Sequence, residues 1–228
     1  GLFTAKGVTP KLRHHGAQEG LFTALAAGEE HYLIAGGDEM LQAKAQGTDV
    51  VALASYYRTY PVVVIVREDA GLADLAALKG KKIGLPGKYG ESWYGLQVAL
   101  DSAGLTQSDV EIVEIGYTQI AALTTKKVDA VVGYSNNELV QFGLAGVAVK
   151  ALPLAEDVPL VSISLCTTQK YLDEHKDEAK KLADGMVAAM DATIADQPGA
   201  VEITKEYVKG LDQAKAETAA KATLEATV

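Results

Sequence analysis

The chain has 228 residues, with 21 Lys or Arg against 30 Asp or Glu, so its formal net charge is −9. This acidity argues against a sequence-independent nucleic-acid-binding protein, which needs clustered cations to displace counterions from phosphates. With 48% hydrophobic and 22% charged residues, the composition is that of a folded protein with a buried core. The longest apolar runs, such as residues 61–66, are far shorter than the roughly 20 residues of a transmembrane helix.

Short β-branched runs alternate with helical stretches up to residue 166. The predicted strands are residues 31–35, 49–55, 61–66, 81–86, 110–115, 128–133, 146–152 and 159–166. Helices are predicted between them at 38–46, 72–78, 92–103, 118–125 and 137–142, and three more after residue 169. This alternation predicts an α/β fold with parallel sheets flanked by helices.

Two of the predicted strands, at 61–66 and 159–166, are mostly apolar on both faces, as is typical of strands buried on both faces. They lie within residues 61–69 and 158–166, and we expect the chain to cross there between two lobes. Residues 1–66 and 158–228 would then form lobe I. Residues 67–157 would form lobe II, an insert with its own strand–helix alternation.

The sequence offers no recognisable catalytic or metal-binding motif. Cys166 is the single cysteine, which excludes an intramolecular disulfide and a multi-cysteine zinc site, and its apolar surroundings indicate a small buried residue. His14 and His15 are adjacent and cannot both bind one metal from one strand face. Because no nucleophile elbow, zinc-protease motif or Cys–His pair occurs, we expect neither an enzyme nor a metal site, and no cofactor.

A Gly-rich turn joins the predicted strand at 81–86 to the predicted helix at 92–103. Gly87 and Gly90 permit a tight turn, and Ser92 can cap the helix. The first N–H groups of such a helix can hold an anion or a polar ligand edge. The turn lacks the Walker and dinucleotide-binding spacings, and an ordinary β–α turn is the alternative interpretation.

Hydroxylated aromatic rings gather at the ends of the predicted strands. Seven of the ten tyrosines and the only tryptophan lie there, whereas the whole chain has three phenylalanines for its core. These rings are Tyr56, Tyr57, Tyr60, Tyr89, Tyr94, Tyr117, Tyr134 and Trp93. Ligands of α/β sheets bind at the carboxyl ends of strands, where rings can stack on a flat ligand. As a group they predict a ring-lined ligand site, while each ring alone is equally explained as a half-buried surface residue.

Polar side chains occupy the same strand ends. Asp38 begins one predicted helix, and Asn136 and Glu138 lie at the beginning of another. These groups are candidates for accepting hydrogen bonds from a ligand, and helix capping is the alternative role for each of them. Arg58 follows two tyrosines and is a candidate for pairing with a ligand anion or stacking on a ring. A surface salt bridge is the alternative for Arg58.

Trp93 and Tyr94 are consecutive in the first turn of the predicted helix and therefore point about 100° apart. Only one of the two rings can pack fully against the core of its own lobe. Leu96, Val98 and Leu100 are expected to pack on the sheet, with Leu96 and Leu100 stacked one turn apart. The other ring of the pair is then expected to face the ligand.

Three segments resemble solute-binding proteins of bacterial ABC importers, namely residues 36–57, 74–105 and 117–142. The most specific features are the L-x-G-K-K-I-G strand entry, the Gly-rich turn before Ser92, and the V-D-A-V-V-G-Y strand followed by N-N-E. The branch that they resemble binds the thiamine pyrimidine precursor and has relatives for riboflavin and alkyl sulfonates. The resemblance covers most of residues 1–210 and implies an α/β periplasmic-binding-protein (type II) clamshell with two lobes and two crossover strands.

Against this family the chain looks truncated at both ends. Residues 1–3 resemble a late point in the family's N-terminal region, and members continue beyond the segment matched at 224–227. Part of the ligand site is therefore expected to lie outside these residues. Yeast-type pyrimidine synthases share the clamshell but carry a cysteine-rich motif, which a chain with one cysteine does not contain.

The resemblance implies a subunit that captures a small aromatic heterocycle between its lobes and presents it to an ABC permease in the membrane. We favour riboflavin or the thiamine pyrimidine over a sulfonate, because a ring-rich site suits a flat conjugated ligand. The residues expected to contact this ligand are Asp38, Tyr56, Tyr57, Arg58, Tyr89, Ser92, Trp93, Tyr94, Tyr134, Asn136 and Glu138.

The same resemblance implies a monomer in the periplasm or another extracytoplasmic space, with a lipid anchor as an option. Two alternatives from other classes stay open. One is a pyrimidine-precursor synthase-like enzyme on the same fold. The other is the effector-sensing domain of a transcription regulator, which would require an N-terminal helix-turn-helix.

Overall fold

The computed structural model describes residues 1–15, 20–57, 59–154, 157–210 and 213–227. The chain divides into two compact units. The first unit combines Gly1–Thr59 with Val161–Asp196, and the second combines Tyr60–Leu160 with Gln197–Val228. Each unit contains one β-sheet. Among the described residues, no helix has both the length and the apolar character needed to span a membrane.

The regular elements follow the predicted alternation up to residue 168. The strands of the described chain are β1 (Leu33–Ala35), β2 (Val50–Ser55), β3 (Val62–Arg67), β4 (Lys82–Leu85), β5 (Glu111–Glu114), β6 (Ala130–Tyr134), β7 (Val149–Pro153) and β8 (Ser164–Thr168). The helices are α1 (Leu2–Ala5), α2 (Leu21–Ala27), α3 (Gly37–Ala45), α4 (Gly90–Ser102), α5 (Gln119–Thr124), α6 (Glu138–Leu144), α7 (Gln169–Glu174), α8 (Lys176–Ala195), α9 (Gln197–Thr204) and α10 (Ala214–Thr227). The predicted helix at 72–78 forms only a 3-10 turn at Ala76–Leu78.

The sheet of the first unit has three strands in the order β1-β8-β2. Both outer strands run antiparallel to β8, and Ala35 and Ser55 each pair with Ser164. The carboxyl ends of β1 and β2 therefore lie at one edge, beside the beginning of β8. Cys166 on β8 is fully buried, as predicted, and burial raises the pKa of its thiol to about 12.

The sheet of the second unit has five strands in the order β5-β4-β6-β3-β7. Strand β4 runs parallel to β5 and β6, whereas β3 runs antiparallel to β6 and β7. The carboxyl ends of β4, β5, β6 and β7 consequently lie at the same edge as the beginning of β3. The prediction of parallel sheets is thus wrong for the first unit and for the pairs that β3 makes, because periodicity does not reveal strand direction.

The two units differ from the lobe boundaries predicted from the sequence. Strand β3 and strand β8, the expected crossover strands, lie in different sheets. Strand β3 belongs to the second unit because it pairs along its length with β6 on one side and β7 on the other. Residues 197–228 also belong to the second unit, where α10 packs against α9 and α6.

The N-terminal segment of the first unit is attached through contacts of Arg13 and His15 with Glu30. The Nη1 atom of Arg13 lies 2.5 Å from Oε1 of Glu30, and Nε2 of His15 lies 2.7 Å from Oε2. The Arg13 guanidinium, together with His15, holds the pKa of the Glu30 carboxyl below its ordinary value of 4.5. Because the folded-state pKa is depressed, this contribution to stability is present above pH 4.5 and is lost as the pH falls through the folded-state pKa.

Replacing Glu30 by Gln should therefore lower the melting temperature at neutral pH by roughly 1–3 °C, since the pair is partly exposed. The difference from the wild-type protein should shrink in acid, as the pH falls through the depressed pKa of the wild-type carboxyl. Thermal melts at the two pH values measure this. Glu29→Gln removes the same charge one residue earlier at an exposed position and serves as the control. An equal deficit of the Glu30 variant at both pH values would contradict the expected linkage.

The core of the second unit holds α4 close to the sheet. Leu96 and Leu100 of α4 are buried in a cluster with Val62, Val64 and Ile83, as predicted for the two leucines. Gly95 permits this approach, because a Cβ atom there would lie 2.8 Å from Cγ1 of Val62. The close fit between α4 and β3 therefore depends on the absence of a side chain at position 95.

The substitution Gly95→Ala should lower the free energy of unfolding by about 1–3 kcal/mol, because the added methyl group overpacks the helix against β3. Gly143→Ala is the matched control, since Gly143 lies in α6 of the same unit and nothing lies within 4 Å of its Cβ position. That control should leave stability unchanged or raise it by up to about 1 kcal/mol. Denaturant unfolding of both variants tests the contact, and equal effects would show that packing at Gly95 does not matter.

Candidate functional site

The second unit presents aromatic and acidic side chains where its parallel strands end. We call residues 60–61, 86–94 and 134–138 the second-unit edge. They precede β3, follow β4 and follow β6, and the backbone N–H of Ser135 donates to the carbonyl of Pro61 at 2.9 Å. Of the predicted ligand residues, this edge contains Tyr89, Ser92, Trp93, Tyr94, Tyr134, Asn136 and Glu138.

The Gly-rich turn leads into α4 earlier than predicted. The helix begins at Gly90, whose φ of +64° lies in the left-handed region, and the preceding Tyr89 is extended. A Cβ atom on Gly87 would clash with the Tyr89 ring where that ring now lies, so glycine lets the ring pack against the turn. Ser92 does not cap the helix, contrary to our expectation. It lies inside the first turn and is buried.

Glu91 is the main feature of this edge that sequence reasoning missed. Its side chain is only 5% exposed, although it lies in the first turn of α4. The hydroxyl of Tyr134 donates to Glu91 Oε2 at 2.5 Å, and the hydroxyl of Tyr60 donates to the Glu91 main-chain carbonyl at 3.0 Å. A carboxylate flanked by a Gly-rich turn and aromatic residues is the signal that could have pointed to it.

The two rings at the start of α4 have different surroundings. Trp93 packs against the buried cluster of the second unit, and the Nζ atom of Lys88 lies 5.8 Å from the centre of its ring. Tyr94 is half-buried and is not among the described side chains packed against that cluster. Val98 packs partly against the same cluster, as expected. Trp93 is thus the ring of the pair that packs against the core.

The polar residues after β6 are engaged within the second unit. The backbone N–H of Tyr134 donates to Oε2 of Glu138 at 2.7 Å, and the Glu138 side chain covers Gly133, where a Cβ atom would lie 2.9 Å from Cβ of Glu138. Asn136 is buried, and its Nδ2 donates to Oγ1 of Thr227 in α10 at 2.8 Å. These bonds fix the two side chains at the end of β6.

The first unit presents a smaller polar edge, residues 36–39, 56–57 and 161–164, which we call the first-unit edge. Asp38 is buried in the first turn of α3, and its Oδ1 accepts the backbone N–H of Glu39 at 2.8 Å. A negative charge is favourable there because of the helix dipole. A Cβ atom on Gly37 would lie 2.5 Å from the Val161 carbonyl oxygen. Only glycine therefore allows the two backbone segments to lie this close together.

Tyrosines complete the first-unit edge. Tyr56 follows β2 directly and is exposed, and its backbone N–H donates to the carbonyl of Ile163 at 2.9 Å. Tyr57 is half-buried beside it. The serine hydroxyls at this edge join the two strands, because Oγ of Ser55 lies 2.9 Å from Oγ of Ser164. Arg58, the remaining predicted ligand residue, lies outside the described residues.

One surface depression of about 630 Å³ lies away from both edges, in the second unit. It is lined by the last two turns of α4 and the loop that follows, with Asp157 and Pro159. None of the predicted ligand residues lines it. In the part of the chain that the structure describes, no three His, Cys, Asp or Glu side chains are grouped to hold a metal ion.

Among known proteins, this chain is similar to some that are named for ligand binding or for biosynthesis. It is 30% identical over 172 residues to the riboflavin-binding protein RibY of Chloroflexus aurantiacus, which covers 75% of this chain and 49% of RibY. It is 36% identical over 110 residues to a putative thiamine biosynthesis protein of Haemophilus influenzae, covering 46% of this chain and 34% of that protein. The chain thus spans about half the length of these relatives or less.

Solved structures show the fold. The aliphatic sulphonate binding protein SsuA of Escherichia coli matches with a TM-score of 0.71 at 20% identity, over 81% of this chain and 63% of SsuA. A Candida albicans protein with the generic periplasmic binding protein fold matches with a TM-score of 0.65 at 17% identity, over 100% of this chain and 83% of its own. The predicted fold class, an α/β periplasmic-binding-protein fold, is therefore confirmed.

The alkanesulfonate-binding SsuA of Xanthomonas axonopodis pv. citri, solved with MOPS bound, matches with a TM-score of 0.70 at 21% identity. The match covers 90% of this chain and 69% of that protein. At this identity the likeness concerns the fold alone. A family model described as NMT1/THI5 like matches residues 1–200. Because this match takes in most of the 228 residues, the chain belongs to the NMT1/THI5-like family.

Proposed function

We propose that the chain is the ligand-binding part of an ABC-importer solute-binding protein that captures a small aromatic heterocycle, either riboflavin or the thiamine pyrimidine precursor. The observation that carries the proposal is the second-unit edge, where tyrosine rings and two carboxylates converge at the ends of β4 and β6. The likeness to proteins named for riboflavin binding and thiamine biosynthesis supports this ligand class. The protein works outside the cytoplasm, as a monomer, with a membrane permease as its partner.

The chemistry of the second-unit edge suits such a ligand better than it suits a simple anion. Tyr94 and Tyr89 offer ring faces for stacking, and Tyr89 is 44% exposed. Carboxylate oxygens of Glu91 and Glu138 accept hydrogen bonds from ring or amino N–H groups. A negatively charged ligand would meet like charge from Glu138.

The first-unit edge is a separate candidate surface for ligand contact in this proposal. Asp38 is a buried acceptor, and Tyr56 and Tyr57 carry hydroxylated rings. Binding by each edge can be tested separately, by substitutions on one unit at a time. We further propose that the protein releases its ligand chemically unchanged, because a solute-binding protein needs affinity and not catalysis.

Calorimetric titration of the purified protein should show saturable binding of riboflavin or of the hydroxymethyl pyrimidine precursor of thiamine. A ligand at 100 times its dissociation constant should stabilise the fold by about 2.7 kcal/mol, which a thermal melt detects as a raised melting temperature. An alkanesulfonate serves as the control and should not bind appreciably. Tight sulfonate binding without heterocycle binding, or a new product after incubation with the heterocycle, would contradict the proposal.

Substitution of the two adjacent rings on α4 should separate binding from stability. Tyr94→Ala should weaken heterocycle binding several-fold to about tenfold, with little change in melting temperature, because offset stacking contributes about 0.5–1.5 kcal/mol beyond burial. Trp93→Ala is the matched control and should chiefly destabilise the fold, by roughly 2 kcal/mol for a partly buried ring. Titration and thermal melts of both variants measure the split. If neither substitution changes affinity while both variants fold, α4 does not contribute a ring to the site.

A further inference from the structure

We infer that α10 is an autoinhibitory arm of the second unit. In its docked position the last turn of α10 is hydrogen-bonded to Asn136, and the heterocycle gains this side chain only when α10 moves away. The inference rests on the proposed function, in which Asn136 belongs to the edge that contacts the ligand. It adds to that function an internal competitor whose docking lowers the ligand affinity of the protein.

The contact between Asn136 and Thr227 has a fixed direction. The hydroxyl of Thr227 donates its hydrogen to the Thr223 carbonyl oxygen at 2.7 Å, one turn earlier in α10. Since a hydroxyl has one hydrogen, the Thr227 oxygen is an acceptor towards Asn136, whose Nδ2 donates to it at 2.8 Å. Asn136 is only 6% exposed in this arrangement. The docked arm thus takes up an amide donor that a ligand at the same edge would otherwise receive.

The packing of α10 is weak for a helix of 14 residues. None of its described residues, Ala214–Thr227, is buried, although the helix lies against α9 and α6. Its half-buried side chains are mainly alanines, and Leu224 is the largest apolar one. Alanine removes little apolar surface from water, so burial contributes little to the docking of α10.

Polar contacts hold α10 near both of its ends. Near its beginning, Oε2 of Glu217 lies 3.0 Å from the Nζ atom of Lys205, which directly follows α9. At its end is the hydrogen bond from Asn136 to Thr227. A surface ion pair and a single neutral hydrogen bond each contribute little net stability. We therefore expect the docking of α10 to be among the least stable interactions of the second unit.

Detachment would also unfold part of α10. Isolated helices shorter than about 12–15 residues are only marginally stable in water, even when they are rich in alanine. The protein is then a mixture of docked and detached states, and a ligand that binds the detached state shifts the mixture towards it. The apparent affinity equals the intrinsic affinity multiplied by the detached fraction. Any change that loosens α10 should consequently raise the apparent affinity.

The test compares the wild-type protein with two variants that loosen α10 at different ends. Thr227→Val keeps the size of the side chain and removes the acceptor for Asn136. Glu217→Gln weakens the contact with Lys205 and lies about 15 Å from Thr227 along the helix. Each protein is titrated calorimetrically with riboflavin and with the hydroxymethyl pyrimidine precursor. Hydrogen–deuterium exchange then follows the backbone amides of α10 with and without ligand.

Matched controls come from the same helix. Thr218→Val removes a hydroxyl that, like that of Thr227, donates to the carbonyl oxygen four residues earlier, at 2.8 Å. Thr218 lies nine residues before the contact with Asn136. Glu225→Gln removes an exposed carboxylate. Both controls should match the wild-type protein in affinity and in exchange, and thermal melts report whether every variant is folded.

We expect Thr227→Val and Glu217→Gln to bind the heterocycle about two- to fivefold more tightly than the wild-type protein. Their α10 amides should exchange faster by at least the same factor. Saturating heterocycle should also speed up exchange of α10 in the wild-type protein, because the ligand binds the detached state. A gain that both variants share cannot come from a changed orientation of Asn136 alone, since Glu217 is distant from that side chain.

Other outcomes overturn the inference. Faster exchange of α10 without a gain in affinity would show that its docking does not compete with the ligand. Slower exchange of α10 in the presence of ligand would show that the arm closes over the ligand instead. Weaker binding by Thr227→Val would assign Thr227 a positioning role. Wild-type protein that binds neither heterocycle would overturn the proposed function and this inference together, whereas wild-type binding with unchanged affinity in both loosened variants overturns the inference alone.

Discussion

The pairing of β3 between β6 and β7 organises the second unit. Val62 pairs with Tyr134 on one side and Val63 pairs with Pro153 on the other, so the beginning of β3 lies among the carboxyl ends of parallel strands. A strand with neighbours on both sides and layers above and below must be apolar, and Val64 is fully buried. This one constraint brings Tyr60 and Tyr134 close enough to α4 for both hydroxyls to reach Glu91.

Close backbone approaches complete the arrangement of the second-unit edge. Gly95 brings α4 against β3, and Gly133 leaves room for the Glu138 side chain to turn back to the backbone of Tyr134. Either contact would be lost with any larger residue, because the Cβ positions lie 2.8–2.9 Å from their neighbours. The polar side chains of the site are therefore held by packing in the core beneath them, which is the support that a binding site needs to keep its geometry.

The sequence allowed the α/β class and most strands to be predicted, because β-branched runs bounded by Gly, Pro and Asp are strong local signals. It did not allow strand direction or unit boundaries to be predicted, since these depend on partners distant in the chain. Residues 197–228 pack with the second unit through contacts such as the hydrogen bond between Asn136 and Thr227. No local sequence pattern predicts such a contact. Of the candidate site, seven predicted residues lie at the second-unit edge. Glu91 was missed because an acidic residue near a helix start is usually exposed.

The abundance of tyrosine at strand ends has a more specific explanation than the sequence suggested. Rings with hydroxyls at these positions were expected to serve a ligand. In the structure, the rings of Tyr60 and Tyr134 pack against the core of the second unit, and their hydroxyls donate to the main-chain carbonyl and the carboxylate of Glu91, respectively. Phenylalanine at position 134 would fill the same space but would leave the buried carboxyl group of Glu91 without this hydrogen bond, and phenylalanine at position 60 would leave the Glu91 main-chain carbonyl without one; losing a hydrogen bond to a buried polar group is costly. The need for tyrosine over phenylalanine at these two positions thus follows from the buried polar groups of Glu91.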